Sequence, residues 1–312
     1  MENRLHKNEL RIDPDLVERL IAAQFPQYAG LSLQQFGESG SSNLLFRLGD
    51  DFLVRLPRQP GGGASIDKES RWLPIIRDHL PVAVPKIVGV GHPAFGFDER
   101  WSIVGWLDGD LPMACTPGTA ASTERSTLAV DLAEFILALR SVDIPAAAKD
   151  DPALRGYRGR SLAEFDRQTR RNIQQCRAIH DLDLDLDAAL AVWEGAMHAA
   201  DAGHIAPDCW YHSDLVAENL LVTDHHLTAV LDFGGLAVGD PTIDLHGAWE
   251  VLDAPARGIF RDRLGVSDAD WNRGRAWALA IALGAFAYYW ETMPNRMQDR
   301  LAMARSVLAD TA

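Results

Sequence analysis

His212, Asp214, Asn219 and Asp232 fall within one short stretch of a 312-residue chain, in WYHSDLVAENLLV and the AVLDFGG that follows. The order is a carboxylate, a carboxamide five residues later, and a second carboxylate followed by Phe233-Gly234. An Asp beside a hydroxyl can orient it and accept its proton. An Asn oxygen and an Asp carboxylate are hard donors suited to Mg²⁺, which keeps several waters and bridges phosphate oxygens. Such a set fits phosphoryl transfer, which asks for positioning and charge neutralisation more than covalent work. Asp214 is therefore expected as the base, with Asn219 and Asp232 as metal ligands. His212 is expected to pack the loop rather than to move protons.

Something rigid must hold these groups. The runs ENLLV and LTAVLDF flank Thr223-Asp224-His225-His226 and read as a hairpin, with Asn219 and Asp232 at one end of two paired strands. Near the start, Asp13-Pro14 is an N-cap and first-turn pair leading into a helical stripe. Leu31–Phe36 reads as a strand, Gly37–Asn43 as a turn cluster, and LLFRLG with DFLVRLP as strands joined at Gly49-Asp50-Asp51. PRQPGGGAS reads as a loop, IDKESRWLPIIRDHL as a short helix, and PVAVPKIVGVG and RWSIVGWL as further strands. From Leu111 helical stripes dominate: Ser126–Arg140, Leu162–Arg177, Ala188–Ala200 and much of the chain from Gly247. The uncharged run Ala276–Trp290 falls short of the ~18 residues of a membrane span and reads as a core helix. The expected fold class is α+β and two-lobed. A β-rich N-terminal lobe spans 1–103, a hinge 104–110 and a helical C-terminal lobe 111–312. The ligand is expected between the lobes.

The spacing of His212, Asp214, Leu215 and Asn219, with Asp232-Phe233-Gly234 downstream, resembles the catalytic loop and metal-binding turn of protein kinases. Either fragment alone recurs by chance, and the ordered set on a loop–strand–turn–strand frame carries the likeness. In that scheme Phe36–Asn43 sits where a phosphate-covering loop belongs. Its small residues, Ser41 among them, and Asn43 would let backbone N–H groups approach a phosphate. Arg55 takes the slot of the strand lysine and can grip phosphate oxygens through two bonds. Glu69, in the following helix, is its expected ion-pair partner.

More closely, the chain resembles the aminoglycoside phosphotransferase family, antibiotic kinases related to protein kinases. That family carries H-G-D-x-x-x-x-N, then I-D-F/W-G, then G-D-P-x-x-D-L. Here the matches are His212-Ser213-Asp214 with Asn219, Asp232-Phe233-Gly234, and Gly239-Asp240-Pro241-Thr242-Ile243-Asp244-Leu245. The likeness runs from about Phe36 to about Trp290, with Ser213 standing where the family usually has Gly. It implies a protein-kinase-like fold, ATP or GTP as phosphate donor with Mg²⁺, and transfer to a hydroxyl of a small molecule. An aminoglycoside is the first acceptor implied. A macrolide is next, because Arg55–Arg58 resembles that branch, and a choline- or sugar-like metabolite is third. The resemblance also places the backbone of Gly105 and Leu107 at the base edge, with Val104 behind it. A nucleotide-binding protein without catalysis is the reading from another class, and the intact trio argues against it.

Composition narrows the partners. With 30 Lys and Arg against 44 Asp and Glu, the formal charge is 30 − 44 = −14. That balance argues against grip on nucleic-acid phosphates, and no nucleic-acid or membrane partner is expected. The polar start of the sequence carries no secretory h-region, so a cytoplasmic location is expected. Cys115, Cys176 and Cys209 are too scattered for a disulfide framework. The acid excess fits a cationic acceptor steered to the helical lobe, with Glu218, Glu250 and Asp253 as candidate contacts. Asp240 is expected in a tight turn, and Asp244 as a cap or as a partner of the catalytic-loop backbone. Asp181–Asp187 with Glu194 has the spacing of a calcium loop, but Ala188 stands where that loop needs Gly. It is therefore read as solvated loop and helix cap, and His225-His226 as an exposed hairpin tip.

Overall fold

The computed structural model describes residues 5–36, 40–156, 158–201 and 208–310. The chain forms two compact units. One is Met1–Asp78, Ala83–Asp108 and Asp232–Gly234, and the other is His79–Val82, Gly109–Leu231 and Gly235–Ala312.

The first unit is built on an antiparallel sheet of β1 (Leu33–Gln35), β2 (Asn43–Leu48), β3 (Phe52–Pro57), β4 (Ile87–Gly91) and β5 (Trp101–Gly105), in the order β1-β2-β3-β5-β4. Alternation sends Leu44, Phe46 and Leu48 of β2, with Val54 and Leu56 of β3, into one core. Helix α1 (Pro14–Gln24), capped by the Asp13 carboxylate on Leu16 N–H, adds Leu16, Val17, Leu20 and Ile21 to it. Each such burial contributes about 1.5–3 kcal/mol. Arg55 lies between Val54 and Leu56, so the same alternation turns it to the opposite face of the sheet.

Helix α2 (Gly63–Arg77) buries Ile66, Glu69, Leu73 and Ile76 along one stripe. Glu69 is therefore a charge set into an apolar face, and it needs a partner. The helix also begins inside the glycine-rich run expected to be a loop. The Glu99 carboxylate supplies the reason: it accepts the N–H groups of Gly61 at 2.7 Å and Gly63 at 2.8 Å. An anion on the free donors of a helix start outweighs the poor propensity of glycine. A Cβ on Gly63 would stand 2.7 Å from the Arg100 nitrogen, so the close approach requires Gly there.

The second unit is mainly helical: α3 (Thr123–Ser141), α4 (Ala146–Lys149), α5 (Leu162–Cys176), α6 (Leu186–Asp201), α7 (Ala248–Val251), α8 (Ala254–Leu264), α9 (Asp268–Tyr289) and α10 (Pro294–Ala309). Helix α9 contains the long apolar run, buries Trp271, Trp277, Leu279, Leu283 and Phe286, and packs against α5, α6 and α10. No helix among the described residues is long and apolar enough to cross a membrane. Two small antiparallel pairs are set among the helices. Strand β6 (Cys209–Tyr211) pairs with β9 (Ala237–Gly239), and β7 (Leu220–Thr223) with β8 (His226–Val230). The β7–β8 turn places Asp224 and His225 at φ of 49° and 70°, the left-handed pair of a two-residue hairpin. The hairpin tip is exposed as expected, and the Asp185 carboxylate caps α6 through the N–H groups of Asp187 and Ala188. Among the described residues no cluster of three or more His, Cys, Asp or Glu could hold a metal.

Replacing Glu99 with Ala removes the acceptor from the start of α2. The expected loss is about 1–2 kcal/mol of unfolding free energy, read as a lower denaturant midpoint at unchanged slope.

Candidate active site

The site starts from a carboxylate with no access to solvent. Asp244 Oδ2 accepts the N–H of His212 at 2.8 Å, and its Oδ1 accepts that of Ser213 at 2.7 Å. Burial pushes this carboxyl up in pKa, while the His212 ring, the two N–H donors and Arg140 oppose the rise. Just beyond the two donors Ser213 takes φ 74°, a left-handed conformation that suits the Gly usual there. The Ser213 hydroxyl also donates to Gly235 O at 3.1 Å. A Cβ on Gly235 would stand 2.2 Å from that hydroxyl, so Ser at 213 depends on Gly at 235. His212 Nε2 donates to Leu231 O at 2.9 Å, and its Nδ1 accepts the Asp214 N–H at 3.2 Å. Both ring nitrogens are thereby used in shaping the loop, as expected of a packing residue.

The turn projects Asp214, whose side chain is 36 % exposed. Arg158 donates to Asp214 Oδ1 at 2.6 Å and to Ser213 O at 3.1 Å. Asn219 Nδ2 donates to Asp214 O at 2.8 Å and to its Oδ2 at 3.1 Å. Burial alone would raise the pKa of Asp214, but the Arg158 guanidinium, with help from His246 and Arg300, holds the carboxyl down at about 2. Asn219 is buried, and with its amide N–H groups on Asp214 its side-chain oxygen is the atom suited to a cation. At the root of the hairpin, Leu231 N–H donates to Asn219 O at 2.8 Å, one residue before Asp232. That bond closes the root of the β7–β8 hairpin, which forms as its strand pattern predicts.

In the first unit Arg55 and Glu69 form a two-bond ion pair at 2.8 and 2.5 Å, with side chains 6 % and 1 % exposed. Burial alone would lower the Arg55 pKa, but Glu69 first and then Asp232 raise it above the ordinary value. Arg55, Glu69 and Asp232 are thus within one electrostatic neighbourhood. Asp232 takes φ 55°, and its Oδ1 accepts the Gly234 N–H at 3.2 Å. Asn43 opens β2 and is buried, and Ser41 O pairs with the His6 ring at 2.7 Å. The centre of the expected phosphate loop, Gly37–Ser39, lies outside the described residues. The Gly105 N–H is taken by Lys86 O at 2.9 Å, so its carbonyl is the group suited to a base edge, and Leu107 is half-buried just beyond β5.

Two proposed acceptor contacts are corrected. Glu250 is fully buried, pairs with Arg300, and accepts the Ala217 N–H at 3.1 Å. Asp253 caps α8 through Ala256 N–H at 2.9 Å and accepts Ser122 N–H at 3.2 Å, so its carboxylate is spent on the backbone. Burial next to apolar helices excludes both from presenting free charge. Glu218 retains some exposure but is bound by Arg296 at 3.1 Å and Arg300 at 2.6 Å. Asp240 caps the turn Pro241–Leu245, as expected.

Residues 32–277 match the family described as Phosphotransferase enzyme family, APH. The chain belongs to that phosphotransferase family. No curated protein sequence matches it. Among solved structures, the GDP complex of wild-type aminoglycoside 2'-phosphotransferase-IIIa is 20 % identical with a TM-score of 0.67, covering 96 % of this chain and 98 % of that one. The streptomycin-ATP-APH(2")-IIa ternary complex is 16 % identical with a TM-score of 0.62, covering 96 % and 99 %. The macrolide 2'-phosphotransferase MphH from Brachybacterium faecium, as apoenzyme, is 22 % identical with a TM-score of 0.59, covering 96 % and 98 %. At these identities the likeness establishes a kinase-like fold, and the family match establishes a small-molecule kinase.

Within this phosphotransferase the motifs did not disclose Arg158, Arg296 or Arg300. Arg158 lies in RGYRGR, a run with no period and no fixed spacing to Asp214. Its loop is fastened by backbone contacts: Tyr211 hydroxyl donates to Arg158 O at 2.6 Å, and Asp240 N–H donates to Gly159 O at 3.1 Å.

The left-handed turn gives a direct test. Ser213→Gly trades one hydroxyl bond for relief of strain, and its stability is expected to stay within about 1 kcal/mol of the parent. Ser213→Val loses the bond and places a branched side chain at positive φ, at an expected cost of about 2 kcal/mol or more by chemical denaturation.

Proposed function

We propose that this chain is an NTP- and Mg²⁺-dependent O-phosphotransferase acting on a hydroxyl of a small molecule. One observation carries the reading: an ionised, part-exposed Asp214 fixed between Arg158 and Asn219 on a loop clamped by Asp244. The acceptor oxygen attacks the γ-phosphorus, forming a new P–O bond while the bond from that phosphorus to the β,γ-bridging oxygen breaks. The hydroxyl proton passes to Asp214 and on to water, and the nucleoside diphosphate leaves. A carboxyl held at about 2 is a weak base. Asp214 therefore acts chiefly by orienting the hydroxyl, with proton transfer late, which suits the loose transition state of phosphoryl transfer.

Arg55, fixed by Glu69, is the proposed contact to the donor phosphates, with Ser41 and Asn43 flanking the phosphate loop. The Gly105 carbonyl and the Leu107 backbone are proposed at the base edge. The donor set fits Mg²⁺: the Asn219 carbonyl oxygen and the Asp232 carboxylate are both hard oxygens. Bound there, Mg²⁺ would neutralise phosphate charge. One solved relative carries GDP and another ATP, so either kind of nucleotide suits the reading. The streptomycin bound in one relative and the macrolide phosphotransferase among the others support an aminoglycoside as first acceptor and a macrolide as next, ahead of choline- or sugar-like metabolites. The free cysteines and the need for a nucleoside triphosphate suit the cytoplasm.

Asp214→Asn and Asp232→Asn are expected to stay folded and to lose about 10²–10⁴-fold in turnover. The parent is expected to gain thermal stability with ATP or GTP only when Mg²⁺ is present. Near-parental turnover in both variants contradicts the reading.

A further inference from the structure

Three consecutive carbonyls lead from the expected phosphate loop into β2, and all three are occupied by one assembly. Arg58 Nε donates to Gly40 O at 2.9 Å, His6 Nε2 to Ser41 O at 2.7 Å, and the Arg58 backbone N–H to Ser42 O at 2.9 Å. The Arg58 guanidinium is in turn paired with Glu9, and Arg58 O accepts the Leu10 N–H at 2.7 Å. Glu9 also accepts the Leu5 N–H at 2.9 Å. His6 is only 4 % exposed, so its ring is packed into the unit rather than lying on its surface. Residues 5–10 thus form a strap that grips the chain at Gly40–Ser42 through His6 and the Glu9–Arg58 pair.

A trans peptide is planar, and its N–H points away from its carbonyl. Fixing the Gly40 and Ser41 carbonyls on the strap therefore turns the N–H groups of Ser41 and Ser42 away from it. Among the described residues neither N–H meets an acceptor. Adjacent backbone N–H groups presented together make a seat for an anion. The strap lies on the core face of the sheet, where Leu10 and Ile12 pack against the cluster shared with α1. Arg55 stands on the opposite face. In the β2–β3 register Asn43 is across from Pro57 and Leu45 from Arg55, so Asn43 shares the Arg55 face.

We propose that the strap of residues 5–10 sets the affinity for the donor's triphosphate, with His6 and the Glu9–Arg58 pair as positioning residues that aim the N–H groups of Ser41 and Ser42 at phosphate oxygens. The inference rests on the O-phosphotransferase reading. None of the three side chains touches the nucleotide in this arrangement; each acts through a carbonyl it holds or through the partner that holds it. Gly and Ser backbone is free to rotate, and ordering it at the moment of binding costs affinity. The strap orders it during folding instead, so the triphosphate meets donors already aimed.

The test is calorimetric titration with ATP and with GTP, each with Mg²⁺, on the parent, His6→Ala, His6→Gln and Asp13→Ala, with the matching nucleoside measured by displacement. His6→Ala loses one carbonyl anchor and is expected to bind the triphosphate about fivefold more weakly, with nucleoside affinity and kcat at saturating nucleotide close to parental. His6→Gln keeps an N–H donor and is expected to recover most of that affinity. Asp13→Ala removes the cap on Leu16 N–H in the same unit and serves as the structural control, with a lower denaturant midpoint and parental triphosphate affinity. Parental triphosphate affinity in His6→Ala overturns the inference, as does equal weakening of nucleoside and triphosphate. A parent that binds a triphosphate but transfers no phosphate to any acceptor fails the functional reading alone. A parent that binds neither triphosphate overturns both.

Discussion

The turn that carries Asp214 depends on one buried carboxylate. Asp244 is fully buried and accepts two consecutive backbone N–H groups, from His212 and Ser213, with Arg140 among the charges that oppose its burial. Immediately beyond these two donors the chain curls through the positive φ of Ser213. From that curl follow the direction of Asp214, the demand for Gly at 235, and the use of both His212 ring nitrogens to close the loop. The site is thus set by an anion that touches no substrate.

The other charged groups follow a related rule. A buried charge stays only with a partner, and breaking such a pair costs about 3–5 kcal/mol. Arg55 and Glu69 satisfy each other on the sheet, and Glu250 and Arg300 do so in the helical unit. In each case the pair also fixes a geometry. Glu69 keeps the Arg55 guanidinium in one orientation through two bonds. Arg300, shared between Glu250 and Glu218, fastens α10 to the loop that carries Glu218 and to α7.

Much of this was open to reading in the sequence. The trio Asp214, Asn219 and Asp232 lies in one contiguous stretch, and hairpin periodicity alone joins the ends of that stretch. The Gly-Asp-Pro context leaves Asp244 as a cap or as a partner of the loop backbone, and the bonds to His212 and Ser213 N–H decide for the second. What stayed hidden depends on distant residues. The three glycines before α2 argue for a loop by local propensity, and only Glu99, 36 residues beyond Gly63, turns their free N–H groups into a helix start. Arg158 reaches Asp214 across 56 positions with no repeat to announce it. Net charge is a sum and carries no pairing, so Glu218, Glu250 and Asp253 looked available until their partners were located.

The central claim is that the Asp244 clamp, rather than Asp214 alone, makes the loop competent. Steady-state kinetics of Asp244→Asn, with folding confirmed by circular dichroism and nucleotide affinity measured alongside, tests it most directly. An amide leaves one acceptor oxygen for two donors, so the turn loosens. The account predicts that kcat falls by about 100-fold or more, the penalty of an ångström-scale misplacement, while nucleotide affinity stays close to parental. A folded Asp244→Asn variant with parental kcat would contradict it.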